Sequence, residues 1–128
     1  MGASVEFARR VYAVVALVPL GRVTTYGHVA AYLGERRSAR MVGWALNSVP
    51  NDLDIPCHRV VNRVGILSGR WHFPHPDHMR MMLEEEAVPF IDEDQVDLKQ
   101  CLWDPAQALY VDEQKITVLD NDQPPPTK

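Results

Sequence analysis

The chain has 128 residues, 46% of them hydrophobic and 23% charged, with a formal net charge of −4, which suits one domain with its own core and is too little for two of ordinary size. No apolar run approaches the roughly 18 to 20 residues of a membrane-spanning helix, and Met1 to Ser4 lack the pattern of a secretory leader, so a cytoplasmic protein without a membrane role is expected. The charge is uneven: residues 1–80 hold ten Arg against five acids (+5) and residues 81–128 three Lys against twelve (−9), so the first part suits a polyanion and the second would repel one.

From Val5 to Val18, apolar residues recur at Val5, Ala8, Val11, Val15 and Val18, the spacing of a helix with one buried face, and Pro19 and Gly21 stop it. RVTTYGHVAAYLGERRSARMVGWALNSVP then reads as two short helices. The first begins after Thr24 or Thr25, either of which can accept a hydrogen bond from a first-turn amide, and ends at Gly34. The second takes Ser38 as its N-cap and runs from Ala39 to about Asn47, closing before Pro50. Joined by the polar turn ERR, the pair has the outline of a helix-turn-helix. On the second helix, Val42, Ala45 and Leu46 face a core, while Arg40, Gly43 and Asn47 lie on another side. There the glycine lets the backbone approach a partner and the guanidinium reaches out.

IPCHRVV is extended in composition and predicts a short strand near Arg59 to Val61, followed by a turn at RVG. HPDHMRMMLEEEAV predicts a helix with Pro76 in its first turn and Met79, Met82 and Leu83 facing inward. Three units result. Residues 1–88 form the domain proper, 89–119 an acidic extension packed on it as short strands or turns, and 120–128, ending in QPPPTK, a disordered tail. Cys57 and Cys101 are 44 positions apart with no CxxC spacing and are expected as free thiols. His72, His75 and His78 are spaced by three, but Pro74 and Pro76 prevent one helix from stacking them, so no metal is expected.

The chemistry concentrates at Cys57. The thiolate is the attacking species, and at an unperturbed pKa near 8.5 only a few per cent is ionised at neutral pH. The adjacent His58 can act as base only if the chain turns there, because neighbours on a strand point to opposite faces. By itself the dipeptide reads as a buried structural thiol.

The order of the parts changes that reading. A helix-turn-helix ending in SARMVGWALNSVP, then IPCHRVV, then a turn and SGR, resembles the DNA-binding, active-site domain of the O6-alkylguanine-DNA alkyltransferases and their alkyltransferase-like relatives, over roughly Val5 to Val88. The resemblance implies a small α/β-type domain, mainly α with a short β hairpin, built around a winged-helix-like helix-turn-helix. It implies double-stranded DNA containing O6-alkylguanine as partner, bound by a monomer through the minor groove. The damaged base is extruded because an alkyl group on O6 is not open to in-line attack within the paired stack. By the same resemblance Arg40 fills the vacated stack, and Tyr26 helps turn the nucleotide out and protonate the leaving guanine. Cys57 accepts the alkyl group in one displacement with His58 as relay base, and no cofactor or metal takes part. Ser68, Val60 and Arg59 border the pocket, Arg59 as an anchor for its loop. Gly43 lies on the DNA face, and Thr24, Thr25, Arg36 and Arg37 flank helix ends that would approach phosphates.

The sequence also departs from that family. Val49 stands before Pro50 where alkyltransferases have asparagine, and Asn47 lies two positions earlier. Counting along the last helix places Arg80 where the family carries the glutamate that orients the histidine, which leaves Glu84, Glu85 and Glu86 as a solvated face or last turn. The loop GILSGR is short and has Leu67 in place of a tyrosine. These departures resemble the alkyltransferase-like proteins, which bind the lesion without repairing it and pass it to nucleotide-excision-repair proteins, yet typically have tryptophan or alanine in place of the cysteine. Three readings follow: a methylated-DNA-cysteine methyltransferase working once, a non-catalytic lesion sensor, and a plain helix-turn-helix regulator, which would use the major groove and leave IPCHRVV unexplained.

Overall fold

The computed structural model of the chain describes residues 4–35 and 38–109. Helix α1, Val5–Val15, starts from Ser4, whose side chain accepts a hydrogen bond from the Phe7 amide. It ends earlier than the apolar spacing suggests, because the amides of Leu17 and Val18 tighten onto the carbonyls of Val14 and Val15 ahead of Pro19. Val18 nevertheless remains buried. Helices α2, Tyr26–Tyr32, and α3, Ala39–Asn47, follow and pack on each other and on α1. Gly34 leaves α2 with φ +80°, the left-handed conformation that only glycine adopts at no steric cost. Ser38 is the residue before α3, but its side chain makes no capping hydrogen bond there, and its φ and ψ of −109° and 26° are not those of an extended cap.

Two short strands hold the middle of the fold. Strand β1, Thr24–Thr25, pairs in parallel with β2, Val60–Val61, in the register Thr24 with Val60 and Thr25 with Val61. Successive residues of a strand face opposite sides, and here that alternation divides the core. Val60 enters a cluster with Phe7, Val11, Val15, Val29, Val42 and Trp103, and Val61 enters a second with Val23, Leu67, Met79, Leu83 and Val96. The expected strand at Arg59 to Val61 is therefore a two-residue strand in a parallel pair. Cys57–Arg59 ahead of it form a 3-10 turn.

The hairpin lies further on, where β3, Phe90–Asp92, pairs antiparallel with β4, Gln95–Val96. Helix α4 spans His78–Glu85 with Asp77 before it, so Pro76 sits outside the helix and not in its first turn. Its end is a Schellman motif: the amide of Val88 reaches the Leu83 carbonyl and that of Ala87 the Glu84 carbonyl, with Ala87 at φ 63°. A short helix α5, Leu98–Cys101, follows, and residues 105–109 are again helical. After α5 the chain returns to β1, where Leu102 bridges Val23, the Trp103 amide donates to the Val23 carbonyl, and Arg22 donates to the carbonyls of Cys101 and Leu102. Val96, Cys101 and Trp103 are buried, so this stretch contributes side chains to the packed core. The stretch 120–128, expected as a tail, lies outside the described residues.

Candidate nucleic-acid interface and cysteine pocket

Two adjoining cavities lie between α3 and the 3-10 turn Ser68–His72. The outer one, about 380 Å³, is bordered by Arg40, Gly43 and Trp44 of α3 and by Ser68. The inner one, about 310 Å³, ends against Cys57 and His58 and is walled by Leu46, Ile55, Phe73 and Met82. Apolar side chains share the inner lining with several polar groups, Asn47, Asn51, His58 and His72 among them, a make-up that suits a ligand with flat faces and hydrogen-bonding edges. Arg40 and Trp44 are exposed on the outer rim.

The 3-10 turn supplies the bend that the Cys-His pair needs. Cys57 is partly buried, and its thiol lies 3.8 Å from the Leu46 carbonyl. Burial pushes its pKa up to about 11, against a smaller lowering by a backbone hydrogen bond. About one thiol in 10⁴ is then ionised at neutral pH in the free protein.

His58 is buried, and its Nε2 stands 2.8 Å from Oε2 of Glu86. The same carboxylate takes a fork from Arg59: Nε donates to Oε1 and Nη2 to Oε2, both at 2.9 Å, while Nη1 donates to the Val18 carbonyl at 2.8 Å. Burial alone would raise the Glu86 pKa; the hydrogen bonds from Arg59 and His58 and their charges outweigh it and hold the carboxyl below its ordinary value. An ionised Glu86 accepts a hydrogen bond from Nε2–H, which fixes the tautomer and leaves Nδ1 of the imidazole as the acceptor nitrogen.

This corrects the expectation that the glutamate position had gone to Arg80. Arg80 bonds to Glu84 and to the Glu93 carbonyl and lies over the Phe90 ring. The orienting carboxylate is Glu86, brought in because α4 stops there and its last residues curl back toward the 3-10 turn. A buried histidine followed by an arginine calls for a carboxylate, but which of three consecutive glutamates supplies it depends on where the helix ends.

Tyr26 is the first residue of α2, set there by Thr25, whose hydroxyl accepts from the His28 amide at 3.0 Å. Its phenol lies against Gly69, where an added Cβ would sit 2.8 Å from the hydroxyl oxygen. Burial raises the pKa of that phenol, and a hydrogen bond with Ser68 partly offsets it. Gly43 faces the same ring at ordinary contact distance.

Four expected placements change. Thr24 and Thr25 are buried, one in the strand pair and one as the cap of α2, so neither hydroxyl is available to a phosphate. Val60 points into the core and Arg59 toward Glu86 and Val18, so neither lines a cavity. Arg59 instead has the anchoring place also expected of it. Arg36 and Arg37 lie outside the described residues. The pocket also contains His72 and Met82, which the motifs had not placed there.

A helix-turn-helix domain whose second helix borders a cavity floored by a cysteine in a 3-10 turn is a base-pocket architecture on a nucleic-acid-binding scaffold. The family model for the DNA-binding domain of 6-O-methylguanine DNA methyltransferase matches residues 6–88, and the chain belongs to that family. It is 41% identical over 98 residues to a DNA base-flipping protein of Escherichia coli K12, covering 77% of this chain and 74% of that one. It is 35% identical over 104 residues to alkyltransferase-like protein 1 of Schizosaccharomyces pombe, covering 78% of this chain and 96% of that one. The structure of S. pombe Atl1 with damaged DNA containing O6-carboxymethylguanine is similar at a TM-score of 0.66 and 33% identity, over 78% of this chain and 96% of that one. Mycobacterium tuberculosis OGT in complex with DNA is similar at 0.56 and 31% identity, over 65% of this chain and 50% of that one.

Proposed function

We propose that this chain is a DNA-repair protein that binds damaged duplex through the minor groove and holds an extruded O6-alkylguanine in the cavity above Cys57. The observation that carries this reading is the continuous pair of cavities between Arg40, exposed on α3, and Cys57 at the inner end. The relatives named above, which include a base-flipping protein and proteins solved with DNA, support it. The chain is proposed to act as a monomer in the cytoplasm, where its free thiols Cys57 and Cys101 would stay reduced.

Lesion binding is the primary activity, and the bound lesion is passed to nucleotide-excision-repair proteins. A second reading, transfer to Cys57, is favoured by the intact His58–Glu86 pair. In it the Cys57 sulfur forms a bond to the alkyl carbon as the bond from that carbon to O6 breaks. The thiol proton leaves toward Nδ1 of His58, and the departing guanine takes a proton from the Tyr26 phenol, which is reprotonated from solvent. Incubation with a duplex containing O6-methylguanine, followed by intact-mass measurement, tests both. Lesion-selective binding with unchanged mass is the sensor outcome, and a gain of one methylene on the Cys57 peptide is the transferase outcome. Equal affinity for damaged and undamaged duplex sinks both. If transfer is seen, its rate rises about tenfold per pH unit between 7 and 9, because Cys57 ionises only near 11; a plateau near pH 7 would contradict the high thiol pKa.

Arg40→Ala removes the group placed to fill the vacated stack, against an unstacking cost of a few kcal/mol. The expected loss of lesion affinity is about ten- to a hundredfold. Arg80→Ala, on the other side of α4, is expected to change it less than about threefold. Similar losses in the two variants, measured by fluorescence anisotropy, would argue against the assignment of Arg40.

A further inference from the structure

Four residues line both cavities: Tyr26, Asn47, Gly69 and His72. These four residues therefore stand where the outer groove and the cysteine cavity meet. They are not equivalent. Gly69 has no side chain, and the Tyr26 phenol lies directly on it, so these two close one wall of the passage. Asn47, the last residue of α3, and His72, the last of the 3-10 turn, are exposed. They line both cavities from two different elements. Of the other polar groups lining the inner pocket, Asn51 is exposed at its edge and three are already engaged. Cys57 faces the Leu46 carbonyl, His58 holds Glu86, and Tyr26 is bonded to Ser68.

We propose that Asn47 and His72 form a polar neck that hydrogen-bonds the extruded purine nucleotide as it sits between the two cavities, and so determine selectivity for a flipped base. The proposal rests on the function proposed above and deepens it. The Asn47 amide offers a donor and an acceptor, and the His72 imidazole a donor and, when neutral, an acceptor. Both match the mixed donor and acceptor edge of a guanine. One neutral hydrogen bond at a partly exposed site changes affinity about three- to tenfold.

The test compares three duplexes of one sequence, carrying O6-methylguanine, guanine or an abasic site at the central position, against wild type and the variants Asn47→Ala, His72→Ala, His72→Phe and His72→Gln. The abasic duplex keeps every backbone contact and has no base to enter the neck. Asn47→Ala, His72→Ala and His72→Phe are expected to lose about three- to tenfold in affinity for the lesion duplex and to bind the abasic duplex as wild type does. His72→Gln, which keeps a donor and an acceptor, is expected to retain most of the lesion affinity. Both sites are exposed, so unfolding temperatures should be unchanged. Equal losses on the lesion and abasic duplexes would make the two residues backbone contacts and overturn the neck. Unchanged lesion affinity in the Ala variants would overturn it as well. If wild type itself fails to prefer the lesion duplex, the functional reading falls and the neck with it; a selective wild type with equally selective variants removes the neck alone.

Discussion

Glu86→Ala is expected to lower the unfolding free energy by about 2–3 kcal/mol, read as a shift of the urea midpoint without a change in slope. The side chains of His58 and Glu86 are 6% and 13% exposed, so the contact lies in a largely dry place. Removal of the carboxylate strands Arg59, which gives it two hydrogen bonds, and frees Nε2 of His58. Breaking one side of a buried pair leaves the other charge uncompensated, which costs more than the pair contributes when intact. Some access of water keeps the loss below that of full burial. The same change unlocks the tautomer of His58, so any alkyl transfer should slow beyond what lower stability explains. Glu86→Gln keeps the shape and accepts part of the Arg59 fork, and its stability loss should be about half. The pH dependence has a definite sign. A folded-state pKa held below the unfolded one gives stability that is present above the ordinary carboxylate value near 4.5 and is lost as pH falls through the lowered folded value. Glu86→Ala should therefore flatten the acid limb of the stability curve below pH 4.5. An alanine variant as stable as wild type, with the same acid limb, would mean that the fork is only a surface contact.

The other large effect is expected at Gly65, outside the pocket. This residue has φ +92°, and an added Cβ would sit 2.6 Å from the Val96 carbonyl oxygen and 3.3 Å from the Leu98 side chain. The first neighbour is backbone and cannot rotate away. Gly65→Ala meets two separate costs: about 1–2 kcal/mol for a left-handed non-glycine residue, and about 1–3 kcal/mol for overpacking against β4. A loss of about 3 kcal/mol, and a melting temperature lower by more than about 10 °C, is expected. Gly34→Ala separates the two terms, since Gly34 has φ +80° with nothing within 4 Å of an added Cβ. It should show the backbone cost alone, about 1–2 kcal/mol. Equal losses at the two glycines would mean that the approach of Gly65 to Val96 carries no strain. Function should suffer more at Gly65. The Val96 amide donates to the Gly65 carbonyl, and the chain enters the 3-10 turn of Ser68 and His72 three residues later, so displacement of β4 loosens the wall of the lesion cavity.

Much of the site was legible before any fold was known. The helix-turn-helix followed from Thr24 or Thr25 as a cap, of which Thr25 is the one used, and from Gly34 as a stop, and α3 runs over Ala39–Asn47 as expected. These are local effects, settled within one or two turns of chain. Arg40 and Gly43 border the outer cavity, and Cys57, His58 and Tyr26 line the inner one. What failed was side-chain direction. Val60 and Arg59 were expected at the pocket because they adjoin Cys57 in sequence, yet the 3-10 turn and the strand pairing send one into the core and the other to Val18 and Glu86. The threonines expected to meet phosphate are buried by the parallel pairing of β1 with β2, a contact between residues 36 positions apart that no local pattern encodes.

The sequence by itself determined the scaffold and the chemistry at its centre: two short helices of one amphipathic pattern each, a cysteine beside a histidine, and an arginine on the open face of the second helix. Those properties depend on residue type and near spacing. Only the tertiary structure decided which carboxylate completes the pair. Glu84, Glu85 and Glu86 are chemically identical, and the choice falls on Glu86 because the α4 helix closes at that residue and its final turn rests on the Cys57–Arg59 turn. It also decided that Asn47 and His72, 25 positions apart, flank one passage, since a cavity belongs to surfaces that meet only when the chain has folded.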